Sequence, residues 1–186
     1  MRITIAIVLF ITTTSSFIDD ERPASWAVKI ESTSLENLYK VSSDLYRSEQ
    51  PSVKGMAELQ ELGIKTIINF RNLHQDKKEL KRSELKSVYI PIKTTKISYN
   101  NLLTALQEIK QAEKPVLIHC WHGSDRTGAA IAVYRMTVQG WEKQQAIDEF
   151  RNGGFGYHQE LFPNILALLE SIDIDTLRKD IANSQK

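Results

Sequence analysis

The stretch from Pro115 to Val138 constrains the fold more than any other part of the chain. Pro115-Val116-Leu117-Ile118-His119 is β-branched and apolar and reads as a buried strand, and Gly128 to Val138, rich in Ala, Ile and Val, reads as a buried helix. Between them lies Cys120-Trp121-His122-Gly123-Ser124-Asp125-Arg126-Thr127, a tight strand-to-helix loop with the helix expected to begin at about Thr127. Main-chain N–H groups of such a loop converge on one point, and the helix N-terminus adds partial positive charge there. Gly123 admits backbone conformations closed to other residues. The segment is suited to holding an anion at the end of a buried strand.

The remaining patterns alternate. Trp26 to Ile30, Leu45 to Ser48, Thr66 to Phe70 and Ser87 to Ile92 read as further strands. Val53 to Leu62, Asp76 to Lys86, Tyr99 to Gln111, Trp141 to Phe150 and Gln159 to Ser171 read as helices, that over 76–86 as a charged, solvated one. Alternation of this kind predicts an α/β fold, a central and mostly parallel sheet flanked by helices. Ligands in such folds sit at the carboxyl ends of strands, where Cys120 falls.

Composition removes several alternatives. A chain of 186 residues suits one domain, and a formal net charge of +1 does not argue for nucleic acid as a partner. Cys120 is the single cysteine, which excludes an intramolecular disulfide and a zinc cluster of several thiolates. At the N-terminus, Arg2 precedes the apolar run Ile3 to Ile11, followed by Thr12 to Ser16 and the acids Asp19, Asp20 and Glu21. Residues 1–16 read as a secretory signal or, uncleaved, a short membrane anchor, with a buried first strand as the alternative. That leaves a domain at 17–174 and a C-terminal tail at 175–186, in an exported chain (periplasmic or secreted) whose membrane proximity rests on the leader and which is expected to be a monomer.

Arg126 lies six positions after Cys120, so a curled loop returns its guanidinium to the thiol side, and guanidinium grips two phosphate oxygens at once. The same cradle favours a thiolate, the nucleophilic form of a cysteine. Cys120 would attack phosphorus and carry a phospho-cysteine intermediate, Thr127 would donate a hydrogen bond to the sulfur, and His119 would order the loop. The bland alternative is a buried core cysteine beside an unrelated arginine. It explains neither Gly123 nor the position of Arg126-Thr127-Gly128 at a helix start.

The loop resembles the signature of the protein tyrosine and dual-specificity phosphatase superfamily, His-Cys-x-x-Gly-x-x-Arg-Ser/Thr-Gly, and matches each of its specified positions. Leu45-Tyr46-Arg47-Ser48-Glu49-Gln50-Pro51, Ile67-Ile68-Asn69-Phe70-Arg71 and Tyr89-Ile90-Pro91-Ile92 look like segments of small bacterial dual-specificity-like phosphatases, several of them exported. The resemblance implies hydrolysis of a phosphorylated protein or small phosphoester without metal or cofactor. It also implies Cys120 as nucleophile, Arg126 as clamp, and a phosphate-binding set of Trp121, His122, Gly123, Ser124, Asp125 and Arg126. Members of that superfamily usually carry an acidic residue on the loop after the strand preceding the signature, yet Pro91 to Ser98 contains none. Asp125 is the nearest candidate, as it is in the myotubularin-like lipid phosphatases, with pairing to Arg126 or a loop N–H as its other role.

Around the loop, Arg47, Arg71, Lys93 and Lys96 are candidates to face the substrate or a carboxylate. The cluster Gly153-Gly154-Phe155-Gly156-Tyr157-His158 is either a substrate-flanking loop or a plain helix connection. A lipid or inositol phosphate substrate is the competing enzymatic reading, and a non-catalytic phosphate binder the competing class. A reporter fused after residues 1–25 is expected to be exported; a wholly cytoplasmic reporter in a fractionation assay would contradict the leader.

Overall fold

A computed structural model describes residues 22–183, so the leader read over 1–16 lies outside the described residues. In chain order the elements are β1 (Val28–Lys29), β2 (Tyr39–Lys40), β3 (Leu45–Ser48), α1 (Val53–Glu61), β4 (Thr66–Asn69) and β5 (Lys86–Tyr89). Then come α2 (Tyr99–Gln111), β6 (Val116–His119), α3 (Asp125–Thr137), α4 (Lys143–Asn152), α5 (Pro163–Ser171) and α6 (Ile174–Asn183). The strands form one sheet in the order β1-β2-β3-β6-β4-β5. Strands β3, β6, β4 and β5 pair in parallel, while β1 and β2 add an antiparallel edge. This is the mostly parallel sheet flanked by helices that the alternation predicts.

Both faces of the sheet are covered, which is why its strands read as continuous apolar runs. Val116 and Ile118 of β6 point into the larger core, formed with α2, α3, α5 and α6, while Leu117 points into a smaller one with Met56 and Leu59 of α1. Helix starts are capped by the local sequence. Ser52 accepts from the Gly55 N–H at the head of α1, and Ser98 and Asn101 make a reciprocal capping box at the head of α2. Gly63, at φ +89°, ends α1.

Two segments differ from the sequence expectation. The stretch 76–86, expected as a solvated helix, instead forms turns over 77–82 and enters β5 at Lys86. Asp76 takes φ +55° and is buried, and its side chain serves the neighbouring loop instead of solvent. Residues 175–183, expected as part of a tail, belong to α6. Leu177 and Ile181 lie one turn apart on its buried face. Tyr99 Oη donates to Asp180 Oδ2 at 2.6 Å and Arg178 Nη2 donates to the Met136 carbonyl at 2.7 Å, so α6 is fastened to both α2 and α3.

A buried ion pair locks α3 to α4. Arg135 donates from Nε and Nη2 to the two carboxylate oxygens of Glu149, each at 2.7 Å, and the Ala27 N–H donates to the same carboxylate at 2.6 Å. Arg135 also stacks on Trp141 at 4.1 Å. Removing one partner of such a pair strands the other charge in the core, at a cost of about 3–5 kcal/mol. Glu149→Ala is therefore expected to lower the unfolding free energy by about that amount in urea titration.

Candidate active site

The central strand β6 ends at His119, and Cys120 follows as a free cysteine only 1% exposed. Helix α3 begins at Asp125, two residues earlier than expected, so Asp125 and Arg126 lie in its first turn. The unbonded N–H groups of that turn face back along the helix axis toward the loop. Gly123 sits at φ +71°, and a Cβ there would meet the Ser48 carbonyl oxygen at 2.4 Å. Only glycine lets the loop pass so close to the end of β3.

Arginines surround this loop from below and beside. Arg47, on β3, is buried and donates from Nη2 to the Gly123 carbonyl at 2.5 Å while its guanidinium lies 3.7 Å over the Phe155 ring. Burial pulls Arg47 down to about 10, against the opposing fields of Glu149 and Cys120, and it remains a cation at neutral pH. Arg71 stacks on Trp121 at 4.0 Å and donates to Gln50 Oε1 at 3.0 Å. Burial lowers the pKa of Arg71 as well, with Asp76 and Cys120 among the charges opposing it. Both side chains thus lie within the electrostatic reach of Cys120. Trp121 is 55% exposed, at the outer edge of the loop.

His119 is fully buried and bonded on both ring nitrogens. Nδ1 faces the Cys120 carbonyl at 3.0 Å, and Nε2 faces Asp76 Oδ2 at 2.9 Å. A carbonyl only accepts, so Nδ1 is the donor in that bond, and Nε2 faces the carboxylate. Gln50 Nε2 donates to Asp76 Oδ1 at 2.7 Å, and the Gln50 N–H donates to the Trp121 carbonyl at 2.9 Å. Burial would raise the pKa of Asp76, but His119, Gln50 and His74 outweigh it and hold the carboxyl below the usual range. Asp76 was missed from sequence because no local pattern marks it; its one signal is its place just beyond the carboxyl end of β4.

The glycine cluster braces the other side. Ser124 Oγ donates to the Phe155 carbonyl at 2.6 Å, and Asn37 Nδ2 donates to the carbonyls of His122 and Phe155 at 2.8 and 3.1 Å. Asp125 is buried. Its Oδ1 accepts from the His158 N–H at 3.0 Å, and its Oδ2 lies 3.0 Å from His158 Nδ1. The loop 153–158 is therefore more than a helix connection. The carboxylate of Asp125 is held by His158, not by Arg126 as one sequence alternative had it.

Arg126 reaches across the strand ends, its Nη1 lying 3.4 and 3.3 Å from the Phe70 and Ile92 carbonyls, while Nε has no hydrogen-bond partner among the described residues. The Thr127 hydroxyl is buried and makes no hydrogen bond to any described residue, so the bond to the Cys120 sulfur expected from sequence is not made. Lys93 and Lys96 are exposed around a 3₁₀ turn at Thr94–Lys96. Chemically, the site offers a thiol at a helix N-terminus, a guanidinium with an uncommitted donor and a carboxylate–imidazole pair, an arrangement for binding a phosphoryl group and attacking it.

That fold and site define a cysteine-based phosphatase. The comparisons agree: the family model described as "Tyrosine phosphatase family" matches residues 33–184, and the chain belongs to that family. It is 36% identical over 166 residues to the dual specificity protein phosphatase TpbA of Pseudomonas aeruginosa, covering 88% of this chain and 74% of that one. A crystal structure of P. aeruginosa TpbA superimposes with a TM-score of 0.78 at 35% identity, covering 86% of this chain and 98% of that one. The core catalytic domain of the PP-IP phosphatase SIW14 from Saccharomyces cerevisiae, in complex with citrate, matches with a TM-score of 0.67 at 27% identity, covering 80% and 93%. The chain is thus an enzyme, a cysteine-dependent phosphatase of the tyrosine and dual-specificity type.

The lowered pKa of Asp76 has a signed consequence. Its ionised form contributes stability that is present above the ordinary value of 3.8 and is lost as the pH falls through the lower folded value. Asp76→Asn is expected to unfold at lower urea than the parent chain at pH 7, with the gap shrinking as the pH is taken below 3.8. An equal gap at both pH values would mean that the charge is not what Asp76 supplies.

Proposed function

We propose that the enzyme hydrolyses aryl and alkyl phosphomonoesters of proteins, phosphotyrosine foremost, through a phospho-cysteine intermediate on Cys120. The observation carrying this reading is the loop itself: Cys120 at the end of the central strand, with Arg126 in the first turn of α3. The Cys120 thiolate attacks phosphorus in line with the leaving oxygen. The loop N–H groups and the Arg126 guanidinium hold the three equatorial oxygens, and the uncommitted Nε supplies one of those donors. Water then cleaves the thiophosphate and releases inorganic phosphate. No metal is needed for either step. Trp121, stacked on Arg71 at the rim, offers an aromatic surface for a phosphotyrosyl ring, and positions 121–125 of the loop contain no lysine or arginine to attract further phosphates. Export through the N-terminal leader belongs to the same proposal and would direct the enzyme to extracytoplasmic phosphoproteins.

Protonation of the leaving oxygen falls to Asp125. It is buried beside Arg126 and coupled to His158, and the segment 91–98 has no acid to take the role. The partial likeness to an inositol diphosphatase, together with exposed Lys93 and Lys96 beside the mouth, supports a second reading: an inositol polyphosphate substrate.

Cys120→Ser is expected to abolish release of phosphate from every substrate. Asp125→Asn is expected to lower kcat on phosphoserine peptides by about 10²–10⁴ while costing far less on p-nitrophenyl phosphate, whose leaving group needs no proton. Equal losses on both would assign Asp125 a structural role. A panel of phosphotyrosine peptide, phosphoserine peptide and inositol polyphosphates, ranked by kcat/KM, decides the substrate; preference for the inositol phosphates would overturn the protein reading.

A further inference from the structure

A group of metal-ligand side chains converges at the rim of the same loop. His122, Asp125 and His158 each present one donor atom, and the three atoms lie within 4.8 Å of one another. The Asp125 Oδ2 to His158 Nδ1 distance is 3.0 Å, and the His122 and His158 ring centroids are 5.3 Å apart. We propose that His122, Asp125 and His158 form a site for a zinc ion that restrains the enzyme when filled.

The donor chemistry selects the metal. Two imidazoles and one carboxylate are a set that zinc takes readily, with the fourth position open to water or a phosphate oxygen. Calcium and magnesium require oxygen ligands and would leave both imidazoles unused. Zn–N and Zn–O bonds of about 2.0–2.2 Å put neighbouring donors of a tetrahedral site roughly 3.4 Å apart. The Asp125–His158 pair is already close to that spacing, and the exposed His122 ring can turn to close the remainder.

Two of the three ligands are also held in place. The His158 N–H donates to Asp125 Oδ1 at 3.0 Å, which orients the carboxylate and leaves Oδ2 to face the ion. The loop carrying His158 is anchored by Ser124 Oγ on the Phe155 carbonyl, so His158 is fixed relative to the start of α3. Zinc there replaces the direct contact between Oδ2 and Nδ1 and occupies the Asp125 carboxylate. Binding rests only on this geometry; restraint of turnover rests, in addition, on the reading of Asp125 as the acid.

Calorimetric titration of the full chain with zinc chloride tests the site. One equivalent is expected to bind, at least tenfold more weakly in both His122→Gln and His158→Gln, and with unchanged affinity in Cys120→Ser and His74→Gln. The last two variants report on the rival thiolate ligand and on the nearby His74, Asp76 and Glu79 cluster. Cobalt-loaded protein is expected to show tetrahedral visible bands without a thiolate charge-transfer band. Should His158→Gln loosen its loop, His122→Gln still decides, because its ring is exposed. No binding up to millimolar zinc, undiminished binding in both histidine variants, or loss in Cys120→Ser would overturn the site. Zinc is further expected to slow hydrolysis of phosphoserine peptide, reversibly with chelator, in the parent chain and not in His122→Gln. Binding without slowing removes the acid reading of Asp125 and the restraint, whereas absence of binding leaves that reading intact.

Discussion

The bond between His119 and Asp76 is the point on which the site's architecture depends. Both side chains are fully buried, and burial of such groups is costly unless every polar atom is paired. Here the pairing is complete: carboxylate to imidazole, imidazole to the Cys120 carbonyl, carboxylate to Gln50. The chain accommodates it by holding Asp76 at φ +55°, a conformation that a non-glycine residue adopts only when its surroundings compensate. The segment after β4, the turn after β3 and the nucleophile loop after β6 are thereby tied at one place.

The opposite side of the loop is fixed by different means. Arg47 supports Gly123 from beneath, Ser124 ties to Phe155, and Asp125 ties to His158. The peptide groups from 120 to 126 are thus held before any substrate arrives, so little reorganisation is needed when charge develops on the phosphoryl oxygens. The carboxylate nearest that loop is not free: it already shares its environment with an imidazole. The proposed acid and metal-ligand roles of Asp125 both draw on this contact with His158, and the two uses would exclude each other at any one moment.

Family membership bounds the chemistry and leaves the substrate to details of the rim. The relatives include a dual specificity protein phosphatase and an inositol diphosphatase on one fold. On a shared fold, substrate choice rests with the set of side chains around the mouth. In this chain that set is an exposed tryptophan stacked on Arg71, two histidines, and lysines on the turn after β5.

Much of the fold was legible in the sequence. The strands at 45–48, 66–69 and 116–119 and the helices at 53–61 and 99–111 follow from apolar periodicity and capping residues, which act over a few neighbours. The loop from Cys120 to Arg126 was legible for the same reason, since its chemistry is contiguous. Pairings between distant segments were not. Asp76 with His119 spans 43 residues and Asp125 with His158 spans 33, and neither leaves a mark in its local sequence. The turns at 77–82 and helix α6 follow from tertiary contacts: a charged segment bends to deliver one buried carboxylate, and a short amphipathic segment becomes a helix where Leu177 finds α2 and α3 to cover it. The sequence alone placed Cys120 and Arg126 together as candidate nucleophile and clamp, because both lie in one loop. Only the tertiary structure decided which groups orient them, because those partners are brought together by the packing of the sheet and its helices.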